Sequence, residues 1–484
     1  MMLQRFRFLL IFLLLVAVAG GALVACSNRR EAPEGVKVIE IWQGFNVEET
    51  QVFEDIMKDF EKDYLARTGQ KVEVRVQYVS FNDMFTKLRT AALAKMTPDV
   101  AFMDSIKVTE LALGRALVPI DELPSFKERY GTIEKAREEF VGASFDAGIV
   151  NRLGQRHLYG LPVQTTTVSL FWNRAMFRQK ASELRAAGLD PTRAPRDWDE
   201  MIAYGKVLTE PGKVYGFGLH GSMWFNFTIF NMYGTEFVTY DENGVAQASF
   251  DSPNGLAALN RIRTIVQSGV EGGAWVRGAL GPEAGFLNDK YAMCLTGPWN
   301  VENFTNAGKD FDIDLIPAPS MAEVRALGLP PRLPGGDPND PRTYTSSNVG
   351  GQTGVILRLC EDRDLAFEVM EYFTSEKIQR RWASGLGQIP VRKAAWENLD
   401  TSKFPFMPKF MTQLATAKRI PQIPLYGVLE NDLFNPEVDL LLNNGQTPEQ
   451  MVKRMQEGMR VRIFNRINES LEAARKMENV GTGG

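Results

Sequence analysis

A two-lobed α/β fold is the architecture this sequence predicts, on three observations. The chain has 484 residues, more than a single hydrophobic core ordinarily serves. Strand and helix periodicities alternate from residue 36 to 103, the pattern of a parallel sheet with crossover helices. Residues 161–173 (LPVQTTTVSLFWN) read as one extended strand whose polar half precedes its apolar half. Such a strand is expected to leave one lobe, enter a second and open a cleft beside its polar residues.

The elements follow in chain order. Residues 36–42 read as a strand on the apolar positions Val36, Val38, Ile39 and Ile41. Val52, Phe53, Ile56, Met57, Phe60 and Tyr64 then recur in steps of three and four, one face of a helix that Gly69 ends. Residues 71–79 alternate, with Val72, Val74, Val76 and Tyr78 on one face. A second helix carries Phe81, Met84, Phe85, Leu88, Ala92 and Leu93, and a short strand over 100–103 ends at Asp104. In sheets of this kind ligands sit beyond the carboxyl ends of the strands, which points at residues 43–46 and at Asp104 and Ser105.

A helix is expected over 109–117, a turn at 118–121, and no clear pattern over 124–156. The organising strand is supported by the β-branched run Thr165, Thr166, Thr167 and Val168, which disfavours a helix. Trp198 opens a helix capped by Asp197, 215–219 reads as a short strand, and Asp251-Ser252-Pro253 starts a helix running to Val266. The Pro- and Gly-rich stretch 318–341 reads as a long loop. Residues 348–359 look β-like, 365–373 and 376–383 helical, 405–424 proline-rich, and 448–476 a polar amphipathic helix. No internal repeat of fixed period is present.

Composition narrows the function. The apolar fraction of 44% and charged fraction of 24% are those of a soluble globular chain, and a net charge of −4 argues against a nucleic-acid partner. Two histidines, His157 and His220, poorly supply a His-based metal site, and Cys26, Cys294 and Cys360 lack zinc spacing. No metal and no cofactor is expected. Pairing of Cys294 with Cys360 is compatible with an oxidising compartment but gains no support from spacing. Arg5 and Arg7 precede an apolar run over 9–18 and small residues at 19–22, the layout of a secretory leader. The run is shorter than the roughly 20 residues of a stable membrane span. Leu23-Val24-Ala25-Cys26 looks like a bacterial lipobox, so residues 1–25 are expected to be a leader, Cys26 to carry lipid, and 26–35 to form a polar tether.

An ordered set of motifs spans the chain: Pro98-Asp99-Val100-Ala101-Phe102-Met103-Asp104, Gly160-Leu161-Pro162, Leu170-Phe171-Trp172-Asn173, Trp198-Asp199-Glu200, Tyr215-Gly216-Phe217, Gly297-Pro298-Trp299 and Gly387-Gln388-Ile389-Pro390-Val391. In that order, with the lipobox, they resemble the maltose-binding-protein-like family of bacterial extracellular solute-binding proteins over nearly all of residues 36–475. The resemblance implies the type II periplasmic-binding-protein fold: two lobes, each a mixed sheet flanked by helices, joined by hinge segments and closing on a ligand. It implies lobes of 36–167 with 345–400 and of 168–344 with 401–478.

The resemblance also implies the site. Trp299 and Trp224 match aromatic sugar platforms, Gln43, Asn46 and Asp104 lie at strand ends, Gln164 and Thr166 at the cleft end of the crossing, and Gln388 in the Gly-Gln-Ile-Pro-Val motif. Such residues suit a sugar, whose apolar ring face wants a flat aromatic and whose hydroxyl rim wants planar amides and carboxylates. For each residue a plainer use exists; Asp104 suits a helix cap equally well. The implied function is a non-enzymatic, lipid-anchored, extracytoplasmic receptor, expected to be monomeric, that delivers a mono- or oligosaccharide to an ABC permease. Two other readings stand beside it. One is a secreted two-carboxylate glycosidase, although no pair of acids stands out at strand ends. The other is the same fold binding a polyol, a phosphate ester or a peptide; few positive charges fall in the expected cleft, which weighs against a strongly anionic ligand.

Overall fold

The computed structural model describes residues 33–469 and 472, except 153–154, 243–244, 422 and 424. The expected leader and Cys26 lie outside the described residues.

The first sheet is built by the alternating start of the chain. Strand β1 (Val36–Gln43) leads through the helix Val47–Thr68 to β2 (Lys71–Tyr78), then through the helix Phe81–Ala94 to β3 (Val100–Asp104). β1 pairs in parallel with both β2 and β3, as the crossover spacing requires. The first helix buries Phe53, Ile56, Met57, Phe60 and Tyr64, and stops where Gly69 takes a left-handed φ of 71°. β2 departs from the even face expected of it. It is the edge strand, so only Val72 is buried and Tyr78 is 61% exposed.

The helix expected over 109–117 is shorter, at Val108–Leu113, after a 3-10 turn at Ser105–Lys107. Gly114 and the left-handed Arg115 turn the chain, and Leu117 returns to bridge Leu357. The unpatterned stretch after it holds three short helices, Pro124–Tyr130, Ile133–Glu139 and Gly142–Asp146, then the hairpin of β4 (Ile149–Arg152) with β5 (Gln155–Leu158).

The organising strand is two strands. β6 (Gly160–Thr167) belongs to the first sheet and β7 (Ser169–Asn173) to another. The break is Val168, whose N–H and C=O both bond to Ser347 Oγ (3.2 and 2.8 Å) instead of to a strand. A side chain thus satisfies the backbone where the chain changes sheets.

The second lobe opens with the helix Trp198–Leu208, capped by Asp197 as expected. The strand expected over 215–219 is reduced to isolated bridges, Tyr215 to Tyr291 and Gly218 to Cys294. A Cβ on Gly216 would lie 2.2 Å from Gly205 Cα, so close helix packing interrupts the ladder. The helix Met223–Met232 follows, then the hairpin of β8 (Val238–Tyr240) with β9 (Ala246–Ala248) and the helix Pro253–Gln267, with Ser252 as its cap. β10 (Met293–Thr296) and β11 (Phe311–Asp314) flank β7 antiparallel, giving the order β10-β7-β11. The expected loop 318–341 contains a helix, Met321–Leu327. A reciprocal Ser320–Glu323 cap stabilises it, a signal that the surrounding prolines obscured.

β12 (Asn348–Ile356) returns to the first sheet, antiparallel to both β3 and β6, and the short β13 (Lys418–Arg419) pairs with its first residues. The helices Arg363–Phe373 and Glu376–Leu386 cover this sheet. The tail helix is Pro448–Met459, continuing as a π-helical turn at Arg460–Phe464. It is less polar than expected, because Met451, Met455, Met459 and Ile463 enter the second lobe's core. The first lobe has its own core, in which Phe45, Phe53, Phe102, Phe373 and Trp382 pack ring on ring. Cys294 and Cys360 are free, buried thiols in different cores.

Candidate functional site

A cleft of about 830 Å³ opens beside β6 and β12 of the first sheet and is lined from both lobes. Its floor is Gln164, Thr166, Gly350, Gly351 and Gln352 from those strands. Gly351 has φ 134°, and a Cβ there would lie 2.0 Å from Gln164 O, so only glycine lets β6 and β12 close up at this point.

The first-lobe wall holds a polar network beside Phe81 and Phe85. Asn46 Oδ1 accepts from Glu49 N (2.8 Å) while Glu49 Oε2 accepts from Asn46 N (3.0 Å), a reciprocal helix cap. The other Glu49 oxygen accepts from Gln164 Nε2 (3.1 Å), and Gln164 Oε1 accepts from Gln352 Nε2 (3.2 Å). Gln388 Oε1 lies 3.4 Å from Gln164 Nε2. The amides are thereby held in fixed planes. Burial pushes the Glu49 carboxyl up to about 7, against the Asn46 N–H and the Gln164 amide, which favour its charged form. Asp104 caps the turn after β3, its Oδ1 accepting from Ile106 N (3.0 Å), and burial raises its carboxyl above the usual range.

The second-lobe wall is aromatic. The Trp224 and Trp299 rings stand 5.7 Å apart at 61°, and Phe225 lies 4.9 Å from Trp224. Glu283 fixes Trp299: one carboxylate oxygen accepts from Trp299 Nε1 (3.0 Å), Asn300 Nδ2 (2.8 Å) and Thr296 Oγ1. A Cβ on Gly297 would lie 2.0 Å from the Trp299 ring, so the Gly-Pro-Trp sequence lets the indole fold back over its own turn. Phe225 is backed by the His220 ring, stacked at 3.4 Å. Burial lowers His220 to about 3, so the neutral ring donates from Nε2 to Leu295 O (2.9 Å).

Lys107 from the first lobe crosses to lie 4.7 Å from the Tyr426 ring centre. Burial pushes the Tyr426 phenol well above its ordinary range and raises Glu430 beside it. Three buried polar atoms on this surface lack a protein partner: Thr166 Oγ1, Gln352 Oε1 and the Tyr426 hydroxyl. Buried groups of that kind are costly unless something bonds them.

Of the eight residues singled out, the structure brings Asn46, Asp104, Gln164, Thr166, Trp224, Trp299 and Gln388 to the cleft. Gln43 lies behind the wall, fully buried; its Oε1 accepts from Phe45 N (2.6 Å) and its Nε2 donates to Thr50 Oγ1 (3.2 Å). It shapes the loop that presents Asn46 rather than facing the cavity. Glu49, Lys107, Phe225, Glu283, Gln352, Tyr426 and Glu430 line the cleft without having been singled out. For Glu49 a signal existed, the Asn-x-x-Glu spacing of a capping box; for Glu283 none did. Among the described residues no group of three His, Cys, Asp or Glu could hold a metal ion, and no helix is long and apolar enough to cross a membrane.

The galactooligosaccharide-binding protein of Bacillus subtilis (strain 168) is 24% identical over 396 residues, 79% of this chain and 80% of its own. The maltotriose-binding protein of Pyrococcus abyssi is 21% identical over 450 residues, 88% of this chain and 84% of its own. The GacH receptor of Streptomyces glaucescens, solved unliganded and with acarbose, superposes with a TM-score of 0.69 at 19% identity, covering 88% of this chain and 98% of that one. The fold is therefore the two-lobed one that the motif order implied. The profile of the bacterial extracellular solute-binding proteins matches residues 46–380, and the chain belongs to that family.

Proposed function

We propose that this protein is a lipid-anchored, extracytoplasmic receptor that captures an oligosaccharide and delivers it to an ABC permease. The observation that carries this reading is the pairing of two half-buried indoles on one cleft wall with a connected amide–carboxylate network on the other. Indole faces cover the apolar side of a pyranose, and the orphan Thr166, Gln352 and Tyr426 atoms meet its hydroxyls. Each such bond removes a desolvation cost of about 1–3 kcal/mol. A cleft of about 830 Å³ is near the upper end of small-molecule sites, which favours several sugar rings over one. The relatives above are named for galactooligosaccharide and maltotriose, in keeping with that choice.

In this reading the lobes comprise residues 36–167 with 345–400 and 168–344 with 401–478. The crossings at Val168 and Ser347 lie side by side. Residues 401–478 return through the helix Met407–Leu414, where Gln413 Oε1 accepts from Ile316 N (2.7 Å). Closure brings the walls together without making or breaking a bond in the ligand. Titration with a panel of mono- and oligosaccharides, followed by tryptophan fluorescence, tests the reading. Mass spectrometry of ligand carried through purification identifies the sugar. A chain silent to every saccharide, or one that hydrolyses the panel, would refute it.

A further inference from the structure

A second concavity, of about 510 Å³, lies at the end of the first sheet remote from the cleft. β12 runs from the cleft to this end, and the loop after it supplies Arg358 and Arg363; Arg115 completes the set. All three guanidiniums are on exposed side chains. Their bonds go to backbone carbonyls: Arg358 Nη1 to Arg115 O (3.2 Å), Arg363 Nε to Cys360 O (3.3 Å) and Arg363 Nη2 to Arg358 O (3.2 Å). Those bonds orient the groups without neutralising them, and among the described residues none of the three forms an ion pair. Two acids lie nearby: Glu122 lines the concavity, 3.7 Å from His157 Nδ1, and Asp121 lies 3.1 Å from the same nitrogen. Arg115 is held at φ 58°, a conformation that glycine or asparagine takes with less strain.

The tether enters on this side. β1 begins at Val36, and Lys37 Nζ bonds Asp362 Oδ2 (2.7 Å), one residue from Arg363. Nine residues, 27–35, separate Cys26 from β1, a reach of roughly 30 Å when extended. A lipid on Cys26 would hold the concavity within that reach of a membrane surface, where an anionic headgroup is at high effective concentration.

We propose that Arg115, Arg358 and Arg363 form a docking site for the phosphate of an anionic lipid headgroup, which steadies the first lobe against the membrane beside its tether. Guanidinium forks match phosphate oxygens two at a time and carry more geometry than a point charge. The inference rests on the lipid-anchored reading for its orientation. That reading is tested separately by the mass of the acyl groups on Cys26, so failure of one is distinguishable from failure of the other.

The test uses the chain from Ser27 onward, which contains every described residue, with phosphatidylcholine vesicles prepared with and without phosphatidylglycerol. Co-sedimentation is expected only with the anionic vesicles, falling as salt rises. Arg358→Gln and Arg363→Gln should each weaken it about fivefold, with melting temperature and sugar response unchanged because the cleft is at the other end of the sheet. Arg115→Gln serves as a second variant if either of those fails to fold. Absence of binding to anionic vesicles, equal binding to neutral ones, or unaltered binding by all three variants would overturn the proposal. Full displacement by inorganic phosphate at matched ionic strength would overturn the lipid source and assign a free anion.

Discussion

Trp299 owes its position to two neighbours, Glu283 on its N–H and Gly297 under its ring. Trp299→Ala should weaken sugar binding roughly tenfold or more while the chain stays folded, as loss of a buried aromatic anchor does; fluorescence titration and circular dichroism check both parts. Glu49 makes a pH prediction. Burial raises its carboxyl from the ordinary glutamate value to about 7, so the folded state favours the protonated form. The stability contributed is fully present below about pH 4.5 and is lost as pH rises through 7, a difference of about 3 kcal/mol. Glu49→Gln cannot ionise and should be more stable than the parent at pH 8, with the gap narrowing toward pH 4.5. Denaturant unfolding across that range measures it, and a gap independent of pH would show that Glu49 is not so buried. Trp299 was legible because Gly-Pro-Trp is a local pattern. Glu283 was not, because its role depends on a fold that brings it to a residue 16 positions away.

The elements that matter most are the crossings. Val168 has neither strand partner nor solvent, and Ser347 Oγ alone bonds its N–H and C=O. Ser347→Ala leaves both buried groups unpaired and should cost about 1–3 kcal/mol, read as a lower unfolding midpoint. Gly351→Ala should cost a similar amount through its backbone conformation, and it should also shift sugar affinity, because Gln164 stands on the strand that would be pushed away. Strands β1 to β3 and their two helices were legible from period alone. The single strand expected over residues 161–173 misses its break, since a β-branched run looks the same whether it stays in one sheet or passes between two. The helix Met321–Leu327 escaped for a different reason: seven residues give barely two turns of period amid prolines.

The whole molecule has a large core on each side of a polar and aromatic cleft, and a further cluster, in which Phe171, Phe304 and Phe311 meet Ala383 and Ile389, joins the two sides. Contacts across the cleft include Lys107 over the Tyr426 ring and Asn348 Nδ2 donating to Trp224 O. Ligand should therefore act as a clamp. Sugar at one hundred times its dissociation constant should add about 2.7 kcal/mol to stability, and small-angle scattering should show a smaller radius of gyration. An unchanged radius with full binding would argue for a preformed closed cleft. By itself the sequence determined the alternating first sheet and the strand-end placement of Asn46 and Asp104, because periodicity is a property of neighbouring residues, whereas Trp224, Trp299 and Gln388 were reached through motifs shared with a family. Only the tertiary structure decided which acids join them, where the crossing breaks and that Gln43 turns inward. Those outcomes depend on residues far apart in the chain, as Gln164 and Gln388 are at 224 positions, and no local pattern encodes which distant partners the packing of two cores will bring together.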